Sequence, residues 1–295
     1  MRNAFISELV NIATEGHDVV LIVGDLGYKV VEPFAQGFPS RFFNAGIAEQ
    51  NMMGLAAGLA SEGVHVFVYS IANFPTFRCA EQIRNDIDYH NLPVTICSVG
   101  GGVAYGNLGY SHHAVQDYAL LRTLPNMLIG APVDPTQVRS CLRYFIENRG
   151  PAYLRLGKAG EVNLCDVRGK AIEPGVAYCL RQNQLAETAI VSTGSIAQKL
   201  IKKSVFRGEP FSLFTVPLWG MGVSFLGLEQ LWEAKRVIVV EDHYVDGGFG
   251  SWILERIYRK PNFIDKTEII GLNGNTQKSS ASEDFLIAEL LAEFN

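Results

Sequence analysis

Five short apolar runs recur through the first half of the chain, at 19–23, 64–69, 93–99, 127–130 and 152–156. None alternates strictly between polar and apolar residues, so neither face of such a strand is suited to water. Continuous apolar strands with helices between them are the pattern of a parallel sheet buried on both faces. Amphipathic stretches over 79–90 and 135–148 supply covering helices. The same order returns later. Ala189-Ile190-Val191-Ser192 reads as a strand, and Thr193-Gly194-Ser195 opens a helix. Val237-Ile238-Val239-Val240-Glu241 reads as another, and Gly247-Gly248-Phe249-Gly250-Ser251 opens the helix behind it. Residues 159–187 break the pattern with polar residues, Gly169, Pro174 and Gly175. The expectation is an α/β chain of two domains, each a mainly parallel sheet with helices on both faces. They span 1–165 and 186–295, with a linker over 166–185.

A length of 295 residues, 48% hydrophobic and 19% charged, suits a globular protein of about two domains. A net charge of -5, with no basic run, argues against nucleic acid as a partner, because binding phosphates needs a basic face. The five cysteines, at 79, 97, 141, 165 and 179, are scattered and form no CxxC pair. That argues against a zinc site or a disulfide framework and fits a reducing cytoplasm. Met1-Arg2-Asn3-Ala4-Phe5 lacks the apolar region of a signal peptide, and no stretch approaches the roughly 18 apolar residues of a membrane span. P-loop, GxSxG, HExxH and EF-hand patterns are absent, and no metal ligands are assigned. The Gly247–Gly250 cluster lacks GxGxxG spacing. It reads first as tight packing of helix on sheet and second as an anion site.

Residues 42–63 carry the most information. A turn at Asn44-Ala45-Gly46 leads into a helix of small and apolar residues, with one carboxylate, Glu49, in its first turn. Either the helix N-terminus satisfies that acid or a ligand does. Gly54 and Gly58, with Ala56, Ala57 and Ala60, leave room for another backbone to approach. Three more segments fall near strand ends, where open α/β sheets bind ligands. Tyr69 to Arg78 holds Phe74 and Phe77 in a loop before a helix. Gly100 to His113 is a long glycine-rich loop ending in His112-His113, followed by Asp117. Long loops are often functional, and histidine moves protons near neutral pH. Asp25, in Gly24-Asp25-Leu26-Gly27, is by itself a turn residue.

In this order the segments resemble the thiamine-diphosphate family of transketolase and deoxyxylulose-phosphate synthase. The elements are Gly-Asp-Leu-Gly, Gly46-Ile47-Ala48-Glu49-Gln50, the aromatic loop, Glu81-Gln82-Ile83-Arg84, the glycine loop and Ser111-His112-His113. Leu124-Pro125-Asn126-Met127, Ala131-Pro132-Val133-Asp134-Pro135, Gly150 to Arg155, and Glu241-Asp242-His243 with Gly247 to Ser251 complete it. The likeness covers nearly the whole chain and implies the C-terminal half of a transketolase: a pyrimidine-binding domain plus the C-terminal domain. The family holds the diphosphate and its Mg²⁺ on a Gly-Asp-Gly motif, which this chain lacks. The resemblance therefore implies a split enzyme: an N-terminal partner subunit carries that domain, and two copies of each chain assemble.

The resemblance also assigns roles. Glu49 matches the glutamate that hydrogen-bonds N1′ of the aminopyrimidine, so that the cofactor's own amino group can deprotonate C2. Phe74, or second Phe77, stacks on the pyrimidine. Asp25 approaches the cofactor across the boundary between two subunits, and Arg78, which matches an arginine of some members, is counted with the cofactor-binding residues. His112 faces the reacting carbon. His113, Asp117, Arg155 and Lys158 are weaker substrate assignments. Family members acting on sugar phosphates carry a basic side chain within Ser98 to Gly102 and an aspartate at Leu108. Many carry an arginine at Lys158. A lysine there gives a point charge without the bidentate fork. The expected activity is transfer of a two-carbon ketol unit to or from a modified or nucleotide-linked sugar. A deoxyxylulose-phosphate-synthase-like or 2-oxo acid dehydrogenase beta-subunit-like enzyme is the second reading, and a catalytically inactive structural partner the third.

Overall fold

A computed structural model describes residues 1–158, 160–164, 171–202, 209–275 and 280–292. Of the expected linker, 166–170 lie outside the described residues. The strands are β1 (Val19–Val23), β2 (Phe42–Asn44), β3 (His65–Ile71), β4 (Val94–Val99), β5 (Leu128–Gly130), β6 (Ala152–Leu156), β7 (Tyr178–Arg181), β8 (Thr188–Ser192), β9 (Phe211–Thr215), β10 (Leu218–Gly220), β11 (Arg236–Tyr244) and β12 (Thr267–Leu272). They form two sheets. One is seven-stranded, in the order β10-β5-β6-β4-β3-β1-β2. The other is five-stranded, in the order β12-β11-β8-β9-β7. Among the described residues, all strand pairings are parallel except β10 with β5 and β7 with β9.

The apolar runs explain the layering. β1, β4 and β6 are buried at every position. On one face of the first sheet lie the Arg2–Thr14 and Pro135–Glu147 helices, which bury Phe5, Leu9 and Ile12 beside Val138, Leu142 and Phe145. The second of these starts where its sequence says it should. Pro135 occupies the first turn, and Asp134 caps it by accepting the Gln137 amide at 2.8 Å. On the other face the Glu49–Ser61 helix buries Met52, Met53, Ala56 and Ala60. Its Gly54 and Gly58 point away from the sheet, with nothing within 4 Å of where a Cβ would stand.

The stretch expected as one helix over 79–90 is instead an α-turn, Ala80–Gln82, followed by a π-helical turn, Ile83–Asp88. The buried Asp88 then accepts the Asn126 amide at 3.1 Å and takes the Asn126 side-chain amide on its carbonyl at 2.8 Å. Such wide turns recur at functional positions.

The halves are interleaved. β10 comes from the second half of the sequence yet completes the first sheet, with Trp219 opposite Ile129. The Trp219 ring meets Tyr118 edge-on at 5.0 Å, and its indole N–H donates to Thr193 Oγ1 at 3.2 Å. Because β1 to β4 run parallel, their C-terminal ends deliver four loops to one edge: Gly24 onward, Ala45 onward, Ala72 onward and Gly100 onward. Among the described residues no helix is long and apolar enough to cross a membrane.

Candidate active site

The first two loops are tied together by Asn44. Its Oδ1 accepts the amides of Asp25 at 3.1 Å and Gly46 at 3.0 Å, while its Nδ2 donates to Asp25 Oδ1 at 3.0 Å. Asp25 itself is left-handed, with φ +56°, a conformation that aspartate tolerates better than most side chains. This knot fixes the turn that feeds the Glu49–Ser61 helix. Glu49 emerges in its first turn and is only 4% exposed. Glu49 and Ala48 line a pocket of about 470 Å³ with Ile47, Gln50, Asn51 and Arg78.

From Glu49 a row of contacts runs along the sheet edge. Arg78 Nη1 donates to Glu49 Oε2 at 2.9 Å, and the same guanidinium lies 4.3 Å over the Phe74 ring. Phe74 starts the short Phe74–Phe77 helix. Its ring meets His112 edge-on at 5.3 Å. Asn73 holds the two loops together by donating to the Ser111 carbonyl at 3.0 Å, and Ser111 Oγ lies 3.0 Å from His112 Nδ1. His112 meets Tyr105 at 6.4 Å, and Lys158 Nζ lies 5.0 Å from the Tyr105 ring centre. Glu49, Phe74, Arg78, His112 and Lys158 thus share one edge. Phe77, at the end of the same turn, is half exposed.

Three expected substrate residues lie elsewhere. Arg155 is 3% exposed, and its donors are already taken. Nε donates to Asp117 Oδ2 at 2.8 Å, Nη1 to Asp242 Oδ1 at 2.5 Å and Tyr118 Oη at 3.2 Å, and Nη2 to the Ala114 carbonyl at 2.7 Å. Asp117 also accepts from Tyr153 Oη at 2.7 Å. This buried network joins the sheets and leaves no donor for a sugar phosphate. His113 is buried too, and its Nε2 lies 3.4 Å from the Gly106 carbonyl. Burial holds its pKa below the ordinary histidine value.

Close neighbours, two of them from this network, explain the glycine loop. A Cβ at Gly100 would collide with the Tyr105 ring, at Gly101 with the Arg155 side chain, and at Gly102 with the Asp242 carboxylate. At Gly100–Gly102 these neighbours leave no room for a side chain, the basic one that the resemblance implied included.

The Gly247–Gly250 cluster is helix packing. Glu241 Oε2 accepts the Phe249 amide at 2.6 Å and Oε1 the Gly250 amide at 2.9 Å, so the protein's own carboxylate fills that helix N-terminus. Burial pushes the Glu241 carboxyl up to about 8, against the pull of those two amides.

Comparison with known proteins names the fold. Residues 1–160 match the family described as transketolase, pyrimidine binding domain. The chain belongs to the transketolase family. It is 31% identical to a putative transketolase C-terminal section of Methanocaldococcus jannaschii, over 97% of this chain and 90% of that one. It is 31% identical to an apulose-4-phosphate transketolase subunit of Phocaeicola vulgatus, over 88% and 84%. A 1-deoxy-D-xylulose-5-phosphate synthase of Heliobacterium modesticaldum is 32% identical over 85% of this chain but only 39% of its own length. A solved split gene transketolase, described as an inactive beta4 tetramer, superposes with a TM-score of 0.78 at 30% identity, covering 99% and 96%. The chain is thus a transketolase-like protein of the split-subunit kind.

Thiamine-diphosphate dependence comes with the transketolase family, and the residues present fit the pyrimidine end of that cofactor. A nearly buried carboxylate opens onto a pocket, and an aromatic face stands beside it. Among the described residues no cluster of His, Cys, Asp or Glu is able to hold a metal ion. Two further side chains escape sequence reasoning. Tyr105 bridges His112 and Lys158 from within the loop. Arg2, at the start of the first helix, lines a pocket of about 500 Å³ with Lys158 and Arg139. A lone arginine at position 2 gives no sequence signal, because only the fold brings it beside residue 158.

Proposed function

We propose that the chain is the C-terminal subunit of a split transketolase, dependent on thiamine diphosphate and Mg²⁺, that transfers a two-carbon ketol unit between sugars or sugar derivatives. The observation that carries this reading is Glu49: a single carboxylate, 4% exposed, opening on a pocket at the edge where the loops converge. Bound thiamine diphosphate supplies the nucleophilic carbon that carries the two-carbon unit. Every other part is a task for protein side chains. Glu49 would hydrogen-bond N1′ of the aminopyrimidine from its place at the pocket edge. Phe74 packs against the pyrimidine face, with Phe77 the second choice. Asp25, fixed by Asn44, lines the cofactor's approach from the neighbouring subunit. His112 exchanges the proton of a substrate hydroxyl, its ring oriented by Ser111 and Phe74. Lys158 and Arg2 meet the anionic end of the sugar. Asp117, Arg155 and His113 are structural.

The diphosphate and Mg²⁺ belong to an N-terminal partner subunit, and two copies of each chain complete the enzyme. The solved relative described as an inactive tetramer supports the corollary that this chain alone self-associates without activity. The exposed Leu108 and the occupied Gly100–Gly102 surface support a substrate other than the standard pentose phosphates. Relatives named for apulose 4-phosphate support a sugar phosphate of another kind.

Calorimetry of thiamine diphosphate with Mg²⁺, on the chain alone and mixed with the N-terminal subunit, tests the reading. Binding only in the mixture, lost in Glu49→Ala, is expected. Tight binding by the chain alone overturns the split site, and no binding in either case leaves a structural partner. In a competition assay, ribose 5-phosphate outperforming every modified sugar overturns the substrate assignment.

A further inference from the structure

Arg78 makes two contacts with its side chain and, among the described residues, no other hydrogen bond or ion pair. One is to the Glu49 carboxylate at 2.9 Å, and the other is the face of Phe74 at 4.3 Å. Those are the two surfaces that an aminopyrimidine needs: an acid at its edge and an aromatic ring on its face. A guanidinium is likewise planar, carries N–H donors along its edge and stacks on aromatic rings. In this structure the Arg78 guanidinium touches both surfaces at once.

We propose that Arg78 is a built-in placeholder for the aminopyrimidine, which swings out when thiamine diphosphate binds. The proposal rests on the reading of Glu49 and Phe74 given above. The burial pattern gives the device its reason. Glu49 is 4% exposed, and without a partner its carboxylate would be left buried and unpaired, a costly state. Arg78 supplies the partner in the cofactor-free chain. Its own side chain is 47% exposed, so it has open solvent to move into, while the neighbouring Cys79 stays anchored in the core. The ion pair therefore favours the empty chain, and cofactor binding works against it.

The test uses the complex of this chain with its N-terminal subunit, titrated with thiamine diphosphate and Mg²⁺ by calorimetry. Denaturation of the chain alone is the second readout. Arg78→Met is expected to bind the cofactor roughly threefold to tenfold more tightly, the range that loss of a partly exposed ion pair allows. The same variant alone is expected to unfold at lower denaturant. Equal or weaker cofactor binding by Arg78→Met overturns the proposal and makes Arg78 a bystander or a cofactor ligand. Should that variant fail to fold, Arg78→Lys carries the test, with a smaller gain expected and equal or weaker binding overturning. Glu49→Ala separates the two levels. If it binds cofactor as well as the unaltered complex, the reading of Glu49 itself fails. If it loses binding while Arg78→Met shows no gain, only the placeholder fails.

Discussion

Arg155 on β6 and Asp242 on β11 meet at 2.5 Å, so a strand of the first sheet is bolted to a strand of the second. Asp117 accepts from the same guanidinium at 2.8 Å. One arginine thus compensates two buried carboxylates.

Arg155→Met should leave both acids buried without a cation. Removing one partner of such a cluster costs about 3–5 kcal/mol. Urea denaturation is expected to show a loss in that range. A change below about 1 kcal/mol would mean that the network relaxes onto Tyr118 and Tyr153.

The outer face of the Glu49–Ser61 helix gives a second expectation. Gly54 and Gly58 have open space around them, and nearby Ile47 is 77% exposed. If that face receives another chain, Gly54→Leu should weaken assembly by about tenfold, the order of an overpacking penalty. The fold of the single chain should be unaffected. Sedimentation velocity over a concentration series separates assembly from folding, which circular dichroism follows.

Acid stability should depend on His65. Burial first, and the Arg149 charge second, lower its pKa to about 3. Its ring stacks on Phe67 at 4.7 Å and shares a 2.9 Å hydrogen bond with Thr95 Oγ1. The unfolded chain takes up the proton near pH 6.5, whereas the folded chain resists until about 3. Stability is therefore full above about 6.5 and falls as the pH drops toward 3, by up to about 1.4 kcal/mol per pH unit from this one group. His113 and His243, also lowered by burial, add the same sign. His65→Gln should flatten the slope of stability against pH in urea titrations between neutral and acid conditions. An unchanged slope would assign acid sensitivity to other groups.

Lys158 and Arg2 should matter to substrate charge. Each of Lys158→Met and Arg2→Met is expected to raise KM for a phosphorylated sugar about tenfold, the worth of one charge-assisted contact. Little change in kcat is expected. Steady-state kinetics on the assembled enzyme, with phosphorylated and unphosphorylated versions of one sugar, checks this. An equal effect on both substrates would remove the anion-binding role.

How much was legible follows from what kind of signal each residue gives. Phe74 follows the 64–69 run and His112 closes the loop after the 93–99 run, so strand order carries both to one edge. Glu49 instead follows β2, a half-exposed strand that no apolar run announces. Asp117 and Arg155 carry the same polar letters, but Arg155 lies inside the apolar run 152–156. A charge in a strand buried on both faces needs a buried counter-charge, and that was the missed clue. Three-residue β10 has no periodicity to read, so its place beside β5 comes only from tertiary pairing. The π-helical turn was hidden for a related reason: residues 79–90 have ordinary helical spacing, and the wider turn is set by the Asp88–Asn126 contacts.

The antiparallel pairing of β10 on β5 bears on how such a chain is divided, by a gene or by a protease. Cutting anywhere over 166–185 and separating the pieces would strip a strand from the first sheet. It would expose the backbone of β5 as a bare edge and take Trp219 away from Tyr118. The two halves are expected to be inherited, expressed and unfolded together, as one indivisible cassette.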